Sequence, residues 1–478
     1  MSPAARIRAV REDNVTASPL DSSLLGKLVS DPETAKYFSD EAGVRTMVEF
    51  EVGLAAAQER LEMIPAGSAA KIRGAAEAFE PDWATLVASM PVSGHPVTEL
   101  VRQLREAAGP AGQYVHFGAT AQDVMDTALV MRLARVLATF DRRLQDLVDI
   151  LVGHADRHRN TVMAGRTRTQ QAVPITFGLK AAGWLLPLAR HRIRLAELWP
   201  RTMTVQFGGA AGTLGTLRTN GLAVMEELAR EFELRAPDAP WHVQRDGLAE
   251  LAGWLSLLTG SLGKMGQDLA LMAQTEVAEA SDGSVGSSSA MPHKVNPVNS
   301  ELLVAIGRAN AALLSSMHQA AIHEHERGGS AWTLEWITLP QMATLAGAAL
   351  RTAREALVGL SIDPDRMARN LSASSGGVLA ESAKVLLAAT MPVDEAARRV
   401  REASQQARQT GSDLIEILRR DAPADVDWAA LSGPANWLGS ANAFVDRAIE
   451  TARAGPAGIR LGSNPGCPSS HDRRLIDS

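Results

Sequence analysis

The chain has 478 residues, 46% hydrophobic but only 4% aromatic, with 48 Lys and Arg against 54 Asp and Glu for a formal net charge of -6. That length supports two or three domains with large cores, and an acidic balance without a basic stripe argues against nucleic acid as a partner. A single cysteine, Cys467, excludes an intrachain disulfide framework and fits a reducing compartment. No apolar run approaches the ~20 residues of a membrane helix, and the N-terminal MSPAARIRAVREDN lacks the apolar core of a secretory signal. A soluble, cytoplasmic protein with no membrane partner is expected.

Residues 1–20 are polar and aperiodic and are expected to form a flexible arm. An amphipathic helix is predicted over Glu41 to Leu61, ended by Ile64-Pro65-Ala66-Gly67. Shorter helical patterns follow up to the break at Gly109-Pro110-Ala111-Gly112. From Asp123 to about His158, Val124, Leu129, Leu133, Val136, Leu137, Phe140, Leu144, Leu147 and Leu151 recur near the 3.6-residue period. Further long helices are predicted at 175–198, 244–280, 299–325 and 337–360. Strand-like alternation is scarce, so the fold class is all-α, built on a long bundle. Near Ser361-Ile362-Asp363-Pro364 the helices become shorter. The expected organisation is an N-terminal helical domain over 21–122, a central long-helix domain over 123–362 and a C-terminal helical domain over 363–454. A flexible, Gly/Pro/Ser-rich tail is expected over 455–478.

The bundle pattern is interrupted by Gly286-Ser287-Ser288-Ser289-Ala290-Met291-Pro292-His293-Lys294-Val295-Asn296-Pro297. Its glycines and prolines forbid a regular helix. Such a loop can present a serine as acid or base, with Lys294 stabilising the alkoxide by local positive charge.

Four other segments carry residue types suited to chemistry. In His116-Phe117-Gly118-Ala119-Thr120-Ala121-Gln122-Asp123, Thr120 or Asp123 caps the following helix, or Thr120 and helix N-terminal amides bind a carboxylate. In Gly165-Arg166-Thr167-Arg168-Thr169-Gln170-Gln171, the arginines are surface charges or anion ligands. Gln206-Phe207-Gly208-Gly209-Ala210-Ala211-Gly212-Thr213 is Gly-rich without the spacing of a dinucleotide loop. In His323-Glu324-His325-Glu326-Arg327, adjacent ligands on a helix diverge by about 100° and no HExxH is present, so a metal is not expected. Arg327 suits a planar carboxylate. His95, in Ser93-Gly94-His95-Pro96, is a further loop candidate.

The serine-rich loop closely resembles the GSSxMPxKxNP signature of the fumarase/aspartase superfamily, and the other segments follow in that superfamily's order over roughly residues 40–450. The HER…AWxxEW pattern at His325–Trp336 is most similar to the 3-carboxy-cis,cis-muconate cycloisomerase branch, and the His293 of MPHK agrees with that branch and with adenylosuccinate lyases, less with fumarases. This resemblance implies a three-domain all-α fold, a homotetramer with active sites shared between subunits, no cofactor and no metal. It implies anti addition or elimination beside a carboxylate through an aci-carboxylate carbanion, on a small di- or tricarboxylate. Ser288 would be the base, with Lys294 as its catalytic companion. Thr120, Arg168, Gln170, Gln206, Ser289, Asn296 and Arg327 would bind substrate, and His95 and His116 are additional candidates.

Three departures from the family pattern stand out. Ala121 replaces a common serine, Ser287 a common glycine, and Arg168 the acid histidine of adenylosuccinate lyases. An arginine cannot serve as a proton donor at neutral pH, so the leaving group is expected to depart as a weak base. A carboxylate fits, as in lactone opening by a muconate cycloisomerase. Nitrite from nitrosuccinate is the alternative. An adenylosuccinate- or argininosuccinate-type lyase and a non-catalytic, crystallin-like role rank lower.

Overall fold

The structure is a computed structural model that describes residues 18–284, 286–287, 291, 293–420, 423, 426–431 and 434–459. Two short helical turns, Gly26–Val29 and Pro32–Ala35, precede α1 (Asp40–Arg60), α2 (Ser68–Glu77), α3 (Trp83–Ser93) and α4 (Val97–Ala107). The central bundle follows: α5 (Ala121–Arg157), α6 (Phe177–Thr202), α7 (Gly221–Glu231), α8 (Asp246–Met272), α9 (Val298–Ala320) and α10 (Gly329–Val358). Shorter helices close the chain: α11 (Pro364–Ser372), α12 (Ala380–Ala388), α13 (Val393–Thr410), α14 (Leu414–Arg420) and α15 (Ala441–Arg453). The long helices predicted from periodicity are all present, and helix accounts for 69% of the structure against 5% strand.

Apolar spacing explains why α5 runs unbroken for 37 residues. Leu133, Val136, Leu137, Phe140, Leu144, Leu147 and Leu151 are all buried on one face. Small residues let neighbouring helices approach closely. A Cβ on Gly266 of α8 would lie 2.6 Å from the Ser300 carbonyl of α9, and one on Gly307 of α9 would lie 2.9 Å from the Thr259 carbonyl of α8.

Charge also enters this core. Arg245, at the N-cap of α8, donates to Asp126 of α5 at 2.6 Å and 3.2 Å, and to Glu335 of α10 at 2.8 Å and 2.5 Å. The Trp332 indole N–H adds a bond to Asp126 at 3.0 Å. All four side chains are buried. Removing one partner of such a buried pair costs about 3–5 kcal/mol, because an uncompensated charge is left behind. This network sets the register of α5, α8 and α10 at the end of the bundle nearest the site.

Three features differ from the expectations. Residues 162–176 form an antiparallel hairpin, β1 (Val162–Thr167) and β2 (Gln170–Thr176), where no strand was predicted. Two smaller pairings join β3 (Ala280–Ser281) to β6 (Ser361–Ile362), and β4 (Gly286–Ser287) to β5 (Val295–Asn296). A second hydrophobic cluster gathers Leu371, Leu387, Val400 and Leu414 from α11 to α14, but α15 returns to the main core through Val445, Ala448 and Ile449. Within the stretch expected to be a flexible tail, residues up to 459 are described and bonded to the bundle. The Pro456 carbonyl accepts from Arg192 at 3.2 Å and the Ile459 amide donates to Asp141 at 2.9 Å, so this stretch is tied to α5 and α6. Cys467 lies outside the described residues, as do residues 1–17 of the expected arm.

Candidate active site

A cleft of about 660 Å³ opens where α4, the 93–97 loop, the N-terminus of α5 and the loop before α10 converge. His95, His116, Thr120 and Arg327 all line it. Four candidates from three distant segments are therefore brought to one place.

The cleft is held from beneath by α1. Glu51 and Gln58 stand seven residues apart, two helical turns, on the same buried face. The His116 Nδ1–H donates to Glu51 Oε1 at 2.7 Å, and the Gln58 amide donates to the Phe117 carbonyl at 2.7 Å. His116 adopts φ +64°, a left-handed conformation that a non-glycine residue holds only when its surroundings over-determine it. Gly118, at φ +80°, lies where any Cβ would come within 2.5 Å of Leu217.

Asp123 organises the next layer. Its carboxylate accepts from the Thr120 amide at 3.0 Å, so Asp123 supplies this capping bond while Thr120 occupies the N-cap position of α5. It also accepts from the Gly208 and Gly209 amides at 2.9 Å, from Gln206 Nε2 at 3.0 Å and from His242 Nε2 at 2.8 Å. The Gly-rich loop is thereby pinned to the N-terminus of α5. That loop in turn presents the Gly209 and Ala210 carbonyls to Arg327 at 3.3 Å and 3.1 Å, while Arg327 donates to Thr120 Oγ1 at 3.1 Å. Arg327 Nε is buried without a partner among the described residues, which leaves a donor available to an anion.

Gln206 has to be reassigned. Its side chain is fully buried, its Nε2 is committed to Asp123, and its Oε1 accepts from the Trp241 amide at 2.7 Å. Fully buried and engaged at both ends of the amide, it supports the loop, and it does not line the cleft.

The remaining candidates sit elsewhere on this chain. Arg168 and Gln170 are exposed at the tip of the β1–β2 hairpin. Lys294 is exposed and Asn296 half-buried on the hairpin of β4 and β5. None of the four lines the cleft. Ser288 and Ser289 lie outside the described residues. Nearby, Arg166 is not a free surface charge: its guanidinium grips the fully buried Glu279 through two bonds of 2.7 Å and 2.8 Å. Among the described residues no cluster of three metal-ligating side chains exists, and no helix is long and apolar enough to cross a membrane.

The two cleft histidines are pushed in opposite directions. Burial disfavours the charged form of His116, but the Glu51 carboxylate more than offsets it and raises the pKa. Burial, then the charges of Arg327 and His116, lower that of His95. Protonation is therefore favoured at His116 and disfavoured at His95, beside an arginine fork.

Glu51, Gln58 and Asp123 as a hub were not read from the sequence as parts of the site. The available signal was polar residues at core-facing positions of α1 and α5, where a helix face otherwise carries apolar side chains. The AWxxEW pattern also acquires a structural meaning, since Trp332 and Glu335 belong to the buried Arg245 network and fix α10, which begins two residues after Arg327.

Residues 28–309 match the lyase family. The chain is 41% identical over 424 residues to a 3-carboxy-cis,cis-muconate cycloisomerase of Pseudomonas aeruginosa, covering 86% of this chain and 92% of the relative. A nitrosuccinate lyase of Streptomyces davaonensis is 37% identical over 462 residues, covering 91% and 95%. The crystal structure of the 3-carboxy-cis,cis-muconate lactonizing enzyme from Pseudomonas putida superposes with a TM-score of 0.84 at 37% identity, over 90% of this chain and 99% of that one. With these matches over most of its length, the chain belongs to the lyase family of the fumarase/aspartase superfamily.

Proposed function

We propose that this enzyme interconverts 3-carboxy-cis,cis-muconate and its lactone. The observation that carries the reading is a cleft whose unpaired donors suit carboxylates, in a chain similar throughout to muconate cycloisomerases. In ring closure a substrate carboxylate oxygen attacks the neighbouring double bond. The displaced electron pair passes into the conjugated carboxylate as an aci form, and Ser288 delivers a proton to the α carbon. Ring opening reverses each step: Ser288 removes the α proton and the carboxylate leaves. Arg327 and His116 stabilise charge on the carboxylate that becomes dianionic, Lys294 stabilises the Ser288 alkoxide, and Arg168 accompanies the departing anion.

Because Arg168, Lys294 and Asn296 do not line the cleft of their own chain, we assign the complete site to an assembly. Copies in a homotetramer would supply hairpin, signature loop and cleft to each other. Exposed apolar residues, Leu257 at 57% on α8, Ile337 at 58% on α10 and Ile322 at 77% in the loop between α9 and α10, support burial between copies.

The test is turnover by the assembled enzyme and its Ser288→Ala variant. Wild type should consume 3-carboxymuconate, and Ser288→Ala should lower kcat by about 10²-fold or more with the fold intact. Elimination from nitrosuccinate, followed as nitrite release, is the second arm, motivated by the nitrosuccinate lyase relative and by Arg168. Efficient nitrite release without muconate turnover would replace the first reading, and undiminished Ser288→Ala activity would remove the serine from its role.

A further inference from the structure

The cleft contains more cationic capacity than a dicarboxylate needs, and the extra charge is placed separately. Three arginines line it: Arg102, Arg105 and Arg327. Arg102 is already neutralised, held by Glu99 at 2.7 Å and 2.9 Å and by Glu106 at 2.5 Å. The bonds from Arg102 and Gln103 bring the Glu99 carboxyl down to about 2, so that pair persists at any working pH.

Arg105 differs. Its Nε and Nη2 both donate to one acceptor, the Val115 carbonyl, at 3.2 Å and 3.0 Å, and no carboxylate pairs with it among the described residues. That single acceptor leaves most of the guanidinium's donors unspent. The bond also places the cation at the peptide that joins Val115 to His116, beside the imidazole that Glu51 holds. The two arginine stations act on different histidines, since Arg105 opposes protonation of His116 while Arg327 opposes that of His95. Arg327 is anchored instead on Thr120, Gly209 and Ala210.

We propose that Arg105, with His116 beside it, forms a subsite for a third carboxylate, so that this cleft selects tricarboxylates over succinate-type dicarboxylates. The inference rests on the reading of the cleft as the substrate site and sharpens it. A substituted succinate presents two carboxylates, which Arg327 and the helix N-terminus can receive. 3-Carboxymuconate presents three, and Arg105 supplies the counter-ion that the third would otherwise lack.

The experiment measures calorimetric binding of propane-1,2,3-tricarboxylate and glutarate to the full-length assembled enzyme, together with kcat and KM for 3-carboxymuconate. Wild type, Arg105→Met and Arg105→Lys are compared, with melting midpoints to confirm folding. Wild type should bind the tricarboxylate at least about tenfold more tightly than glutarate. Arg105→Met should erase that difference, weakening the tricarboxylate about tenfold while leaving glutarate within about twofold. KM for 3-carboxymuconate should rise similarly with little change in kcat, and Arg105→Lys should recover part of the loss. Equal affinity of wild type for the two ligands overturns the subsite, and that comparison needs no variant. So does equal weakening of both ligands by Arg105→Met, or no weakening of either. Tricarboxylate selectivity without turnover of 3-carboxymuconate would instead leave the subsite standing and refute the proposed reaction.

Discussion

Glu51 is a carboxylate in the middle of a mostly apolar buried helix face. It is fully buried, one oxygen meets His116 and the other has no partner among the described residues. Such a group is tolerated when a hydrogen-bonded partner that can carry positive charge faces it, and Glu51 in turn raises the pKa of His116. The charges around the imidazole come from every side: Glu51 on α1 and Asp123 on α5 favour protonation, while Arg105 on α4 opposes it. Since the folded-state pKa is raised, the stabilisation is fully present below the ordinary histidine value and is lost as pH rises through the folded value. Glu51→Gln keeps the shape and an acceptor but removes the charge, leaving burial and Arg105 to push the pKa down. The His116 ring should then titrate at lower pH by NMR. A titration curve identical to wild type would show that Glu51 only fills space. His95, whose pKa is lowered, should remain neutral throughout the physiological range in both proteins.

At the scale of one element, the β1–β2 hairpin holds Arg168 in an uncommon way. Thr167 pairs with Gln170, leaving a two-residue turn in which Arg168 and Thr169 have φ of +50° and +66°. Asn-Gly is the dipeptide such a turn prefers, and each side chain here costs about 1–2 kcal/mol. Thr169→Gly should therefore stabilise the protein by about 1 kcal/mol in thermal or denaturant melts and leave kcat unchanged. Arg168→Asn should also stabilise the turn, yet lower kcat by about tenfold or more if the guanidinium accompanies the leaving anion. Parallel gains in stability with no loss of activity in either variant would remove Arg168 from the chemistry. The hairpin was invisible in the sequence for the same reason. Its turn lacks Asn or Gly, and the register shift between Ala164 and Arg166 breaks the period-two pattern.

Across the whole molecule, the cleft and the signature-loop hairpin occupy different parts of one chain, and apolar side chains remain exposed on α8, α9 and α10. Both observations are met by an obligate assembly. Light scattering should report a particle near four times the 50.8 kDa chain mass, and activity should fall on dilution below the concentration at which the assembly persists. A fully active monomer would sink the shared-site reading while leaving the cleft geometry untouched. Mixing a cleft variant such as Arg327→Ala with a Ser288→Ala variant should restore measurable activity, because some mixed sites would carry neither defect.

By itself the sequence determined the long helices and the class of chemistry. A 3.6-residue apolar period over many turns admits one regular structure, and Ser288, Lys294 and Asn296 lie close enough in the chain to be recognised as one motif. It also singled out His95, His116, Thr120 and Arg327, but as four separate candidates. Only the tertiary structure decided that these four share a cleft, because their meeting depends on Asp123 pinning the 206–209 loop across more than eighty residues of chain. The same holds for Glu51 behind His116 and for the buried charges joining Asp126, Arg245 and Glu335, whose partners are far apart in sequence. Gln206 shows the converse limit: the family resemblance marked it as a ligand, while in this chain it is fully buried and engaged at both amide ends as a support of the loop. Hydrogen-bond partners across a core are chosen by packing, and local periodicity carries no record of them.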